Sequence, residues 1–222
     1  RVEIMRLILA LTLFLLHSVL FAQGLDFVKP LSSIERAPVT SDALGRMFGT
    51  PTFARLQRPV AVGAYGGKVY LFDAGPNLFY RFDTHQETLQ ELPEISGVLK
   101  GAPTSITVVP DLSFYVPDPV GRQVIHGSFD GQVLRTLSDD ANLASPVATV
   151  FDAPSNYLLV ADSMFDHIVG FNHEGWLMFG FGERGMGPQQ SQVITDIASA
   201  PSGLYLLDRH TFIKLHTTDG QD

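Results

Sequence analysis

An all-β fold of repeated short-stranded units is what this sequence predicts, and three observations predict it. Aspartates that end apolar runs recur at Asp73, Asp118, Asp162 and Asp208, separated by 45, 44 and 46 residues. A second landmark keeps the same period, since Gly131, Gly175 and Gly220 are 44 and 45 residues apart. The third is compositional. A content of 45% hydrophobic and only 17% charged residues can fill a sizeable core, and 20 Gly with 14 Pro supply many tight turns.

The units follow one plan. The first runs from Pro59 to Val62, then Lys68 to Asp73, then Asn77 to Asp83. The second runs from Pro103 to Ile106, Ser113 to Asp118 and Arg122 to Ile125, turning at Asp130-Gly131. The third takes Pro146 to Thr149, Tyr157 to Asp162 and Asp166 to Phe171, turning at Glu174-Gly175. The fourth takes Ile194 to Ile197, Gly203 to Asp208 and Thr211 to Leu215, and reaches Asp219-Gly220. Each run is short, rich in β-branched and aromatic residues, and bounded by Gly, Pro, Asp or Asn, as strands are. Tyr157 to Ala161 is apolar throughout, which fits a strand covered on both faces. The Asp-Gly and Glu-Gly pairs suit tight hairpins in which Gly supplies a positive φ. A period of about 44 residues with three or four strands per unit predicts a β-propeller, each blade packed between two neighbours. Helical repeats are disfavoured, because no unit carries an apolar stripe of period 3.6.

The third unit resembles the NHL repeat. It has Ala161-Asp162, then Asp166-His167-Ile168 where that family has its Asn-His-Leu signature, then Phe171, Glu174-Gly175, Phe179-Gly180 and Gly185 to Gln189. The resemblance covers residues from about 44 to 222 and is weakest in the second unit. It implies four-stranded blades of a six-bladed propeller, with about four blades visible here and the chain truncated within the last. A four-bladed ring is the alternative. Met47-Phe48-Gly49 echoes Met178-Phe179-Gly180, so it is expected to be an outer strand that closes the ring. The expected organisation is therefore residues 1–24 as upstream sequence and export signal, 25–43 as a loose leader, and 44–222 as propeller.

The export signal starts at Met5, with Arg6 as the positive end and Leu7 to Leu16 as the apolar segment. Ala22 and Gly24 offer small residues for cleavage. A membrane-spanning helix needs about 20 apolar residues, so a cleaved peptide and a periplasmic or extracellular location are expected. The membrane would then be met only through the uncleaved signal.

The formal charge is 15 − 23 = −8, and no basic run occurs, which disfavours nucleic acid. With no cysteine, disulfides, thiolate ligands and a Cys nucleophile are excluded. The four aspartates could suggest calcium, but their dispersal favours a structural role, accepting backbone N–H groups in the following turn. A zinc site from His126, His167 and His216 has no spacing signal, and no Gly-x-Ser-x-Gly element occurs. No metal or other cofactor is expected. The glycines of Gly180 to Gly187 are expected in an inter-blade loop, Asp196 in a structural role on an inner strand, and Trp176 in packing between blades.

Binding is expected at the turns that follow the strand-ending aspartates, since loops on a rigid scaffold carry function. Arg122, Asp166, His167, Arg209 and His210 stand there. The expected function is a non-enzymatic scaffold that recognises a protein, peptide or envelope glycan. The alternative, which the resemblance brings, is a metal-dependent lyase or lactonase. Inner-strand residues such as Val60, Ala61, Ser105 and Ala148 would be poor ligands for its metal.

Overall fold

The computed structural model describes Val39, residues 56–187 and 190–209, and the backbone of 212–216. The first sheet is β1 (Pro59–Tyr65), β2 (Lys68–Asp73), β3 (Leu78–Asp83) and β4 (Thr88–Glu91), paired antiparallel in sequence order. The second is β5 (Thr107–Val108), β6 (Phe114–Asp118), β7 (Gln123–Gly127) and β8 (Val133–Leu137). The third is β9 (Pro146–Asp152), β10 (Tyr157–Asp162), β11 (His167–Phe171) and β12 (Leu177–Phe181). A short parallel pair, β13 (Glu183–Arg184) with β14 (Gln190–Ser191), leads to β15 (Ile194–Ala200), β16 (Gly203–Asp208) and β17 (Phe212–His216) of the fourth sheet. This is the all-β propeller architecture: four-stranded meanders stacked face to face as blades.

The register explains why the strands are apolar at every position. In β6, Phe114 and Val116 join the core against the first blade, while Tyr115 joins the core against the third. In β10, Leu158 and Val160 face the second blade, and Leu159 and Ala161 face the fourth. Side chains alternate across a strand, so a strand between two neighbours must be apolar on both. The first of these cores holds an aromatic group: Phe114 lies 4.5 Å from Tyr70 and 5.2 Å from Phe79, ring centre to ring centre.

The strand-ending aspartates are clamps. Asp162 is fully buried and accepts four backbone N–H groups: Ala144 (2.7 Å) and Ser145 (2.6 Å) before β9, Met164 (2.9 Å) and Phe165 (3.0 Å) in the following turn. Asp73 holds Gln57, Arg58 and Gly75 in the same way. Asp118 holds Lys100 and Gly121, and Asp208 holds Gln192. Asp73, Asp118 and Asp162 thus tie the segment entering a blade to the turn between its second and third strands, and Asp208 holds the entering segment. The turn half of this pattern is what the sequence leads one to expect, and the clamp on the preceding segment adds to it. Gly131 and Gly175 both have φ of +83°, as their hairpins require.

Three differences from the sequence reading have physical causes. The inner strand β5 is only two residues long, whereas β9 has seven. Pro117 stands where β10 has Ala161, which pairs with Ala148 of β9, and proline has no N–H to give to a neighbouring strand. A short helix, α1 (Pro93–Val98), joins the first two blades with Pro at its start, as the first turn allows. Its Ile95 fills the core, and Ser96 Oγ accepts the N–H of Phe79 at 2.9 Å. Trp176, expected between blades, is instead 68% exposed on the β11–β12 turn. The turn meets the second blade through Gly175, where an added Cβ would run into Arg135 and Leu137, and leaves the indole in solvent. Residues 1–24, the closing segment Met47-Phe48-Gly49 and the boundary at 44 lie outside the described residues. From the expected leader, Val39 makes a parallel bridge to Leu89 of β4.

Candidate ligand-binding rim

The turns after the strand-ending aspartates share a backbone that few L-residues adopt readily. Asn77, Arg122 and Asp166, each four residues beyond its aspartate, have φ of +61°, +56° and +54°. Asn and Asp tolerate this left-handed region through local hydrogen bonds, whereas Arg does not share that tolerance.

The structure ties Arg122 and His167 to the segment between β8 and β9, and Asp166 to Arg184. Arg122 Nη2 donates to the carbonyl of Asp140 at 3.4 Å, in the segment between β8 and β9. Two residues on, the Asn142 carbonyl lies 2.7 Å from His167 Nε2. A carbonyl only accepts, so His167 carries a proton on Nε2. The His167 ring sits 5.3 Å from that of Phe165. Asp166 is fully buried and pairs through Oδ2 with Arg184 Nε at 2.6 Å, while its Oδ1 takes the Ile194 N–H at 3.4 Å. Asp166 therefore meets the surface only through Arg184, whose side chain is 64% exposed and also donates to the Met164 carbonyl. Arg209 is exposed, with its backbone N–H on Val193. His210 lies outside the described residues. Arg184 and the apolar neighbours below were missed from sequence, because no fixed spacing ties an inter-blade loop to the turn it covers.

Apolar side chains interleave with these cations. Val120 (68% exposed), Met164 (59%), Phe165 (39%) and Met186 (79%) lie on the same turns and the adjoining loop. The loop is closed on itself by Gln190, whose Oε1 accepts the Gly187 N–H. Gly182, Gly185 and Gly187 thus take the inter-blade position expected of them, whereas Gly180 lies within β12, paired with Val169. Of the eight Lys and Arg residues between 56 and 209, Arg58, Lys100, Arg122, Arg184 and Arg209 stand beside the clamping aspartates or their turns. Lys68, Arg81 and Arg135 do not. Lys68 is paired with Asp83, and Arg81 stacks on Phe129 at 3.7 Å.

At the other end of the blades, β6 and β7 bring Ser113, Tyr115 and His126 together. The Tyr115 and His126 rings stack at 4.2 Å, and His126 Nε2 lies 3.1 Å from Ser113 Oγ. Burial pushes the His126 pKa down, opposed by Asp111 and assisted by Arg135, and burial pushes the Tyr115 phenol up. His126 and His167 thus stand at opposite ends of the molecule. Among the described residues no three His, Asp or Glu side chains gather as a metal site would require. Asp196 is exposed on β15, its Oδ1 on the Ile197 N–H.

No family model matches the sequence, and no curated protein matches it. Solved structures do match. The Kuenenia stuttgartiensis hydrazine synthase aligns with a TM-score of 0.56 at 13% identity, over 74% of this chain and 44% of that one. A streptogramin B lyase gives 0.56 at 13%, over 73% and 52%. The computationally designed Ika4 protein gives 0.53 at 13%, over 74% and 93%. The chain spans about half the length of the two natural proteins. At such identities the likeness concerns the fold, and these neighbours are propeller-type proteins.

Proposed function

We propose that the protein is an exported, non-enzymatic binding propeller of the NHL-repeat type that recognises a protein or peptide through its rim turns. The observation that carries this reading is the band in which exposed Val120, Met164, Phe165 and Met186 alternate with Arg122 and Arg184. Met, Phe and Arg are the side chains enriched at protein interfaces. Here they are held on turns that the buried aspartates make rigid, so little ordering entropy is lost on binding. The segment from Met5 to Gly24 supports export.

The test is selection of displayed peptides against the purified chain, in parallel with an envelope-glycan array. Peptides with an apolar anchor are expected to bind, and Phe165→Ala and Arg122→Ala each to weaken them about tenfold or more, as central interface residues do. Binding confined to glycans, or binding indifferent to both substitutions, overturns the reading. Cell fractionation tests export: an unprocessed cytosolic product refutes it. A lyase or lactonase on the same propeller is the second reading, favoured by the likeness to streptogramin B lyase. One tightly bound divalent ion per chain, with turnover of a cyclic ester, would establish it instead.

A further inference from the structure

A cleft of about 370 Å³ opens between the second and third blades at the end opposite the rim. Its wall is apolar, made by Phe151 and Leu158 with the Tyr115 ring. Its polar groups come from separate turns: Asp111 from the β5–β6 turn, Asn156 from β9–β10, and Asn172 from β11–β12. Asp111 and Asn156 are exposed. Asp111 Oδ1 takes the Ser113 N–H at 2.9 Å, which fixes the carboxylate at the mouth. The stacked Tyr115–His126 pair adds a hydroxyl and an imidazole, both uncharged at neutral pH because burial disfavours their ions.

Asn172 Oδ1 accepts the N–H groups of Glu174 (3.1 Å) and Trp176 (2.8 Å), so the residue that lines the cleft also shapes the turn carrying the indole. This is the chain's one tryptophan, and leaving it 68% exposed keeps a large apolar face in water. An aromatic and aliphatic wall over amides and one carboxylate suits a ligand with both a C–H face and many hydroxyls. A sugar ring has both. An anion would meet the carboxylate of Asp111, and a wholly apolar ligand would leave the polar groups unpaired.

We propose that this cleft is a saccharide site taking an uncharged mono- or disaccharide unit, its ring against the aromatic wall and its hydroxyls on Asp111 and Asn156. The assignment is independent of the rim.

Titration calorimetry is run on the full chain with glucose, galactose, N-acetylglucosamine, maltose and chitobiose. Glucuronate and choline serve as charged comparators. Saturable binding of at least one neutral sugar is expected. Asp111→Asn and Asn156→Gly should each weaken it tenfold or more, while Val62→Ala, exposed on β1 of the first blade, leaves it unchanged. Glycine is chosen at 156 because φ is +59° there. Circular dichroism confirms that each variant is folded, and the two exposed positions guard against one failing. No saturable binding by any neutral sugar overturns the proposal. So does tighter binding of choline, or a sugar affinity that both substitutions leave intact.

Discussion

Asp162→Ala offers the most direct test of how a blade is held. The carboxylate is fully buried and accepts four backbone N–H groups, two from the segment entering the third blade and two from its rim turn. Leaving a buried donor unpaired costs about 1–3 kcal/mol. At the low end for all four, because some will find water, the loss is about 4 kcal/mol, large against the typical stability of a domain. For a chain of this size that corresponds to a fall in Tm of about 8–16 °C. Asp162→Asn keeps one acceptor oxygen for four donors, so about half that loss is expected. Asp140→Ala, at an exposed position, should stay within about 0.5 kcal/mol. Urea unfolding followed by circular dichroism and by Trp176 emission reads all three, and agreement of the two probes checks that the transition is cooperative. A loss under about 1 kcal/mol for Asp162→Ala would refute the clamp. So would calcium raising the stability of the parent chain but not of the variant, since the carboxylate would then be a ligand.

Arg122→Asn relieves a left-handed residue at φ of +56°, so it should raise stability by about 0.5–1 kcal/mol while weakening the rim partner. A thermal melt showing destabilisation contradicts this. Trp176→Ala should change stability by no more than about 0.5 kcal/mol, as exposed positions do, and a core-sized loss in the melt would restore the inter-blade role. For His126, burial lowers the folded-state pKa below the ordinary value of about 6.5. The unfolded chain therefore binds the proton first, and the stability present above about pH 6.5 declines as pH falls below it. Urea midpoints at pH 7.5 and 5.5 should differ less in His126→Gln than in the parent, and an equal difference would show that His126 is not the titrating group.

What was legible in the sequence is what repeats. The alternation that splits Phe114 and Tyr115 between two cores needs only apolar residues at every strand position, and the clamps recur at a spacing that subtraction finds. The rim turns were legible for the same reason, because they stand four residues after each clamp. What crosses between repeats was not. Asn142 reaches His167 across 25 residues and Arg184 reaches Asp166 across 18, and neither spacing is dictated by the blade. Asp111, Asn156 and Asn172 meet only because adjacent blades stack. Trp176 was misread because size argues for burial unless the turn beyond a blade is already drawn.

Net charge is also a poor guide to what the rim recognises. A total of −8 speaks against an anionic partner, yet five cations gather at this end. The two facts agree once the carboxylates are placed. Asp73, Asp118, Asp162, Asp166 and Asp208 all lie buried behind the arginines, with backbone or guanidinium groups on their oxygens. At long range these charges offset the cations, so no steering field for a polyanion builds up. At contact range the carboxylate acceptors are engaged, and an arriving ligand meets guanidinium donors set among Val120, Met164 and Phe165. Such a surface selects by short hydrogen bonds and apolar anchoring, which favours a peptide over an anionic glycan. Its association rate should therefore be nearly insensitive to salt, whereas a steered polyanion would slow steeply as the Debye length shrinks.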